Sequence, residues 1–282
     1  MHGFKKNLPS SPESIFLIAL LFNVPHHVGS LFGFLDKEYL LYYRRRFLVD
    51  IPLVLLAFFS VWYAWPLLAL VVFILYTEYH IVSQQGGIAC ALMKNRPRLY
   101  NVWRLLVIGV FSFPYLIINS KSVFGLQLSL EVLYALSFVS AVAFLLVTLH
   151  MRHESKTKEG ARYFLAASAA ILSGYFLFMW GYPILAFFLS RFVHDVTAFV
   201  FYVAHDTNRT AAAHTNALYL LWKPLKIPLF ILTPTLAVVI AFLISETATT
   251  ITLLLIFVTH YYVESFMWKR GSLHRSYVRF AE

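Results

Sequence analysis

The sequence is short of charge and almost without cysteine. Only 13% of its 282 residues are charged, about half the share usual in a soluble domain. The single cysteine, Cys90, excludes an intramolecular disulfide and any multi-cysteine metal site. The chain holds no internal repeat and no low-complexity tract. Hydrophobic residues, by contrast, make up 60% of the chain, and the mean hydropathy is +0.71. Several nearly uncharged stretches reach the length, about eighteen residues or more, that crosses a hydrocarbon core. The formal net charge of +10 does not imply nucleic acid. The basic residues lie in short clusters between apolar runs, and no exposed domain remains to carry such a surface. Lys5 and Lys6 precede an apolar run that could mimic a signal peptide. That run contains Pro25, His26 and His27 and lacks a small-residue cleavage pattern, so it reads as a retained first span.

The expected fold is therefore all-α, a polytopic integral membrane helix bundle forming one transmembrane domain over residues 1–282. The hydropathy pattern predicts about nine transmembrane helices, at 15–36, 47–63, 66–92, 104–119, 125–150, 161–179, 181–206, 227–245 and 248–268. Arg44 to Arg46 follow the first span, Lys94, Arg96, Arg98 and Arg104 the third, and Arg152, Lys156, Lys158 and Arg162 the fifth. Arg209, Lys223 and Lys226 follow the seventh, and Lys269, Arg270, Arg275 and Arg279 the ninth. Apart from Lys121, the remaining links hold almost no basic residue. This alternation predicts a cytoplasmic C-terminus by the positive-inside rule.

Ionisable side chains inside a span are costly and mark a working site. The stretch from Arg191 to Arg209 carries two His-Asp pairs, His194-Asp195 and His205-Asp206. Other spans carry His26 and His27, His80, and His260. All these spans run in one direction. His80 and His194 both lie about 20 Å from the basic cluster that ends their span, counting 1.5 Å per residue. The shared depth points to one metal near the midplane, held by at least three of His27, His80, His194 and His260. His26 and His27 are neighbours about 100° apart, so one of the two should point inward. His205 and Asp206 form a lower layer, about 16 Å from His194 in a straight helix. They are the ligand candidates for a second ion. Glu264 lies one turn after His260 on the same face, so the two could chelate together or bridge two ions; by depth it belongs with the lower layer, as a residue that orients a ligand or handles a proton. Asp195 reads as an orienter of a ligand histidine, and Tyr261, with Tyr79, Tyr202 and Tyr262, as pocket lining next to the ligands. His2, His150, His153, His214 and His274 read as solvated. Gln84-Gln85-Gly86-Gly87 reads as an interruption of the third span that lets backbones approach or lines a cavity, or equally as a small-residue site of helix packing.

The layout of about nine spans, with histidines early in the first span, near residue 80 and near residue 190, resembles the bacterial β-carotene dioxygenase (Brp/Blh) family. That resemblance implies a non-haem iron enzyme of a bacterial inner membrane, with His26 or His27, His80 and His194 as iron ligands. Molecular oxygen would be the co-substrate. A lipophilic molecule, such as a carotenoid, isoprenoid or long-chain lipid, would enter from the bilayer. The family has a further histidine one turn after the late one; here that position is Ala198, and His260 or Glu264 could replace it. The His-x-x-His-His clusters of membrane desaturases and alkane hydroxylases are absent, as are the Asp-rich motifs of prenyltransferases. The function expected is an oxygen-using oxidoreductase with one main iron ion and an electron donor of unknown identity. The alternative from another class is a transporter passing a metal ion or proton along the His/Asp/Glu ladder. A third is an assembly protein with structural histidines.

Overall fold

A computed structural model of the chain describes residues 23–118, 130–247 and 249–278. The described residues are helical and contain no strand; Asp36 and Asn216 make one isolated antiparallel bridge. In chain order the helices are α1 (Val24–Gly29), α2 (Lys37–Tyr42), α3 (Ile51–Ala64), α4 (Pro66–Leu92), α5 (Tyr100–Ile118) and α6 (Leu130–His153). They continue with α7 (Lys158–Met179), α8 (Pro183–Ala212), α9 (Ala217–Trp222), α10 (Leu229–Thr247) and α11 (Thr250–Met267). Pro66 and Pro183 open α4 and α8, where a missing N–H costs nothing.

Among the described residues, four helical segments are long and apolar enough to cross a membrane: Arg46–Ala64, Pro66–Leu92, Glu131–His153 and Lys158–Met179. A fifth is reached if Ala217–Leu225 and Leu229–Ser245, joined at a bend of 114°, count as one broken span. This is fewer than the nine hydropathy predicts, though it does suggest a membrane protein. The long helix α8 carries Arg191, His194, Asp195, His205, Asp206 and Arg209, which dilute its apolar character. Residues 15–22 and 125–129 of the predicted spans, and Lys121, His2, Lys5 and Lys6, lie outside the described residues. After His27 the first span is not one continuous helix: α1 ends at Gly29 and a 3-10 turn follows at Phe32–Leu35. Ser30 ends the helix by turning its hydroxyl onto the carbonyl of His27, at 2.8 Å.

The described chain divides into two compact units, one of residues 74–194 and one of 23–73 with 195–278. The first unit packs α5, α6 and α7 with most of α4 around Trp103, Phe144, Phe164, Met93 and Met151. Its tightest approach is at Gly160, where a Cβ would stand 2.3 Å from the backbone nitrogen of Met93. Thr157 caps α7 by accepting from the Gly160 N–H at 3.0 Å and donates to the carbonyl of Leu92 at 2.5 Å. The run Gln84 to Gly87 does not interrupt α4, which is continuous to Leu92. Gly86 instead admits the rings of Tyr100 and Trp103, and a Cβ there would meet Tyr100 at 2.8 Å.

The second unit buries Phe34, Tyr39, Tyr43, Ala198, Tyr202, Val263 and Phe266 in one cluster, and Val24, Val28, Phe32, Ala237 and Ala241 in another. Three of its helices are capped by the side chain preceding them. Asp36 accepts from Glu38 N for α2, Asn216 from Leu218 N for α9, and Thr249 from Thr252 N for α11. These caps set where α2, α9 and α11 begin.

Candidate metal centre

Within the second unit, α1, α8 and α11 deliver His26, Tyr202, His260 and Glu264 to one buried cluster. Its hydrogen bonds decide the state of each imidazole. Tyr202 donates its single phenolic proton to Oε1 of Glu264. A carboxylate only accepts, so the contact between the Tyr202 oxygen and Nδ1 of His26, 3.1 Å, must be donated by the ring. His26 therefore carries its proton on Nδ1 and its lone pair on Nε2. His260 is met from the same side: its Nδ1 lies 2.8 Å from the Ser30 oxygen. Each ring thus has Nδ1 against a hydroxyl, the arrangement that orients ligand imidazoles, and Nε2 towards a carboxylate.

Glu264 completes the set. Its Oε1 also accepts from Nε1 of Trp268 at 3.0 Å, while Oε2 lies 3.9 Å from Nε2 of His260, one turn away on α11. One ligand atom from each of His26, His260 and Glu264 lies within 4.8 Å of the others, and the three could hold a metal ion. Depth counting sets Glu264 with His205 and Asp206, but its i, i+4 spacing to His260 brings its carboxylate to the imidazoles instead. The ring of Tyr202 stacks on His26, centroids 5.6 Å apart, and on Trp268 at 6.1 Å, so aromatic walls hold the donors in place.

His27 is as deeply buried as His26, so both neighbours turn into the protein. Nδ1 of His27 lies 2.5 Å from the carbonyl of Asn23, and its ring packs against Phe257, His260 and Tyr261. It is not among the grouped ligand residues. Asp195 stands on the coordinating side of His26, its Oδ1 3.9 Å from Nε2. An orienter would meet Nδ1, the position that Tyr202 occupies. Tyr261 is buried with its ring 5.3 Å from that of His260 and 5.6 Å from that of His27.

Within the first unit, α4 and the first part of α8 bring His80 and His194 edge to face, ring centroids 5.1 Å apart. A ligand atom of each lies within 4.8 Å of the other. Both are buried, as are Glu78 and Arg191 on the same helices. Gln85 accepts from the hydroxyl of Tyr163 at 2.6 Å.

The lower layer is a hydrogen-bonded network. Nδ1 of His205 donates to Oδ1 of Asp206 at 2.9 Å, which leaves Nε2 to accept from the Tyr39 hydroxyl at 2.9 Å. Asp206 also accepts from Tyr219 and, at 3.5 Å, from Thr233. His205 and Asp206 are candidates by sequence, yet among the described residues neither belongs to the grouped ligands. Next to them Arg209 pairs with both oxygens of Asp36, at 2.9 and 3.2 Å, and with Glu38 at 2.6 Å. His274 is not solvated, as sequence position predicts, but buried. It stacks on Tyr39, centroids 4.0 Å apart, and on His205 at 4.9 Å. Burial, with the nearby charge of Arg209, holds its imidazole well below the usual range.

Three participants carried little signal in the sequence: Ser30, Trp268 and Tyr39. Ser30 is four residues after His26 and Trp268 four after Glu264, so helical spacing alone puts each beside a ligand. Tyr39 reaches His205 from α2, and no spacing rule connects the two. No family model matches the chain, and neither the curated proteins nor the solved structures contain a match to it.

Proposed function

We propose that the protein is a membrane-embedded non-haem iron, oxygen-using oxidoreductase acting on a lipophilic substrate. The observation that carries this reading is the buried meeting of His26, His260 and Glu264. Two imidazoles and one carboxylate form a donor core that suits non-haem iron, to which His80 and His194 would add further imidazoles. Iron held there would supply redox chemistry with molecular oxygen. His26, His260 and Glu264 bind it in this reading, while Tyr202, Ser30 and Trp268 orient them. Asp195 and Glu264 are the groups placed to move a proton beside it, and the surrounding Phe257, Tyr261 and Trp268 exclude water. His80 and His194 are assigned to the same ion on sequence grounds: their depths match, and His194 is the chain neighbour of Asp195. The alternation of apolar runs and basic links supports nine spans and a cytoplasmic C-terminus, and the family resemblance a bacterial inner membrane.

The substrate class follows from burial. The donors are buried, and the chain carries apolar helices of membrane-crossing length, so a carotenoid, isoprenoid or other long-chain molecule arriving from lipid is favoured. The resemblance to the bacterial β-carotene dioxygenase layout points the same way. Transport of a metal ion or proton is the second reading, favoured by the His205–Asp206–Tyr219 network below the donors. Purified protein loaded with Fe(II) in detergent and given β-carotene, a prenol or a long-chain alkane distinguishes them. Oxygen uptake coupled to loss of one substrate, abolished by His260→Ala, is expected. Iron that stays tightly bound while no such substrate drives oxygen uptake contradicts the oxidoreductase.

A further inference from the structure

A second site lies in the second unit, at the bend between α9 and α10. A cavity of about 310 Å³ opens there, within the usual range for small-molecule pockets of about 300–1,000 Å³. Its walls are mostly apolar, with Trp222, Ile227, Leu229 and Leu232 among them. Its polar groups are basic or neutral: Lys223, Lys226, His214 and Thr210 line it, and no acidic residue does so among the described residues. The hydroxyl of Thr210 is buried and has no hydrogen-bond partner among the described residues. Lys226 adopts a left-handed backbone conformation, φ 52°, which ends the 3-10 turn Lys223–Leu225. Lys223 opens that turn and Lys226 follows it, so the two lysines stand three residues apart in the lining.

The two helices meet at 114°. When α10 crosses a bilayer, Ala217–Leu225 therefore lies along its surface, at headgroup level. Leu220, Leu221, Leu225, Ile227 and Phe230 are exposed around the bend, as a surface facing acyl chains would be. We propose that this cavity binds an anionic phospholipid, its phosphodiester met by Lys223 and Lys226 and its glycerol and upper acyl chains by the apolar wall. A free phosphate would leave that wall in water. A zwitterionic lipid would bring its own cation against the lysines. The site is separate from the metal donors and stands whether or not they bind iron.

The test uses delipidated full-length protein in detergent. Phosphatidylglycerol, phosphatidylcholine with the same acyl chains, and glycerol phosphate are titrated in turn, followed by melting temperature and native mass spectrometry. Phosphatidylglycerol alone is expected to bind as a one-to-one adduct and raise the melting temperature with the logarithm of its concentration. Because both lysines are exposed, K223Q/K226Q folds normally. It should bind the lipid about 30-fold more weakly, the loss of two basic side chains at a headgroup. Equal stabilisation by phosphatidylcholine, an equal effect of glycerol phosphate, or undiminished binding by the double variant would each overturn the assignment.

Discussion

The oxygen of Tyr202 accepts a hydrogen bond from Nδ1 of His26 at 3.1 Å. Because the same hydroxyl gives its proton to Glu264, one tyrosine fixes both the tautomer of an imidazole and the position of a carboxylate. Tyr202 is thus a positioning residue for two donors contributed by helices far apart in the chain.

Tyr202→Phe keeps the ring that stacks on His26 and Trp268 but removes the hydroxyl. Metal affinity should fall about 10–100-fold, the usual effect of losing a partner behind a ligand. The fold should persist, as read by circular dichroism. Competition with a chelator of known affinity measures the change; an unaltered dissociation constant would remove Tyr202 from this role.

His205→Ala separates the upper cluster from the lower one. It strands the Tyr39 hydroxyl and one oxygen of Asp206, and an unsatisfied buried group costs about 1–3 kcal/mol. Metal content should stay at the wild-type level while the melting temperature drops. Loss of metal equal to that in His260→Ala would instead make His205 part of the metal site.

How much of this was legible in the sequence differs from residue to residue. Hydropathy finds α4, α6 and α7 because they are long and apolar throughout. It misplaces the chain after His27, where Ser30 trades helix continuation for a side-chain bond to the backbone. Histidines in apolar stretches stand out, so His26, His80, His194 and His260 are visible as candidates. Counting depth along separate spans and spacing along α11 point different ways for Glu264: depth sets it with His205 and Asp206, while the four-residue spacing sets it with His260, and the structure follows the spacing. The same counting treats His274 as solvated, since a position after the last span says nothing about the segment folding back onto Tyr39. A hydroxyl such as that of Ser30 becomes informative only when the atom receiving its proton is known.

His274 gives the fold a pH dependence. The unfolded imidazole takes up a proton near its ordinary value of 6.5, whereas the folded one resists until well below it. Stability is therefore full above about pH 6.5 and declines as the pH falls below that value. Melting temperatures between about pH 7.5 and 5.5 should show the decline. His274→Phe, which keeps the stacking on Tyr39 and removes the titration, should flatten it. An identical slope in the variant would locate the titrating group elsewhere.

The central claim is that His26, His260 and Glu264 hold one metal ion, and elemental analysis of purified protein tests it most directly. Wild type should retain about one iron per chain, the occupancy of a single site. His26→Ala, His260→Ala and Glu264→Ala, each shown to be folded, should lose it, and His80→Ala and His194→Ala, assigned to the same ion, should weaken its retention. Wild-type protein with no bound metal, or full metal content in both His26→Ala and His260→Ala, would contradict the account.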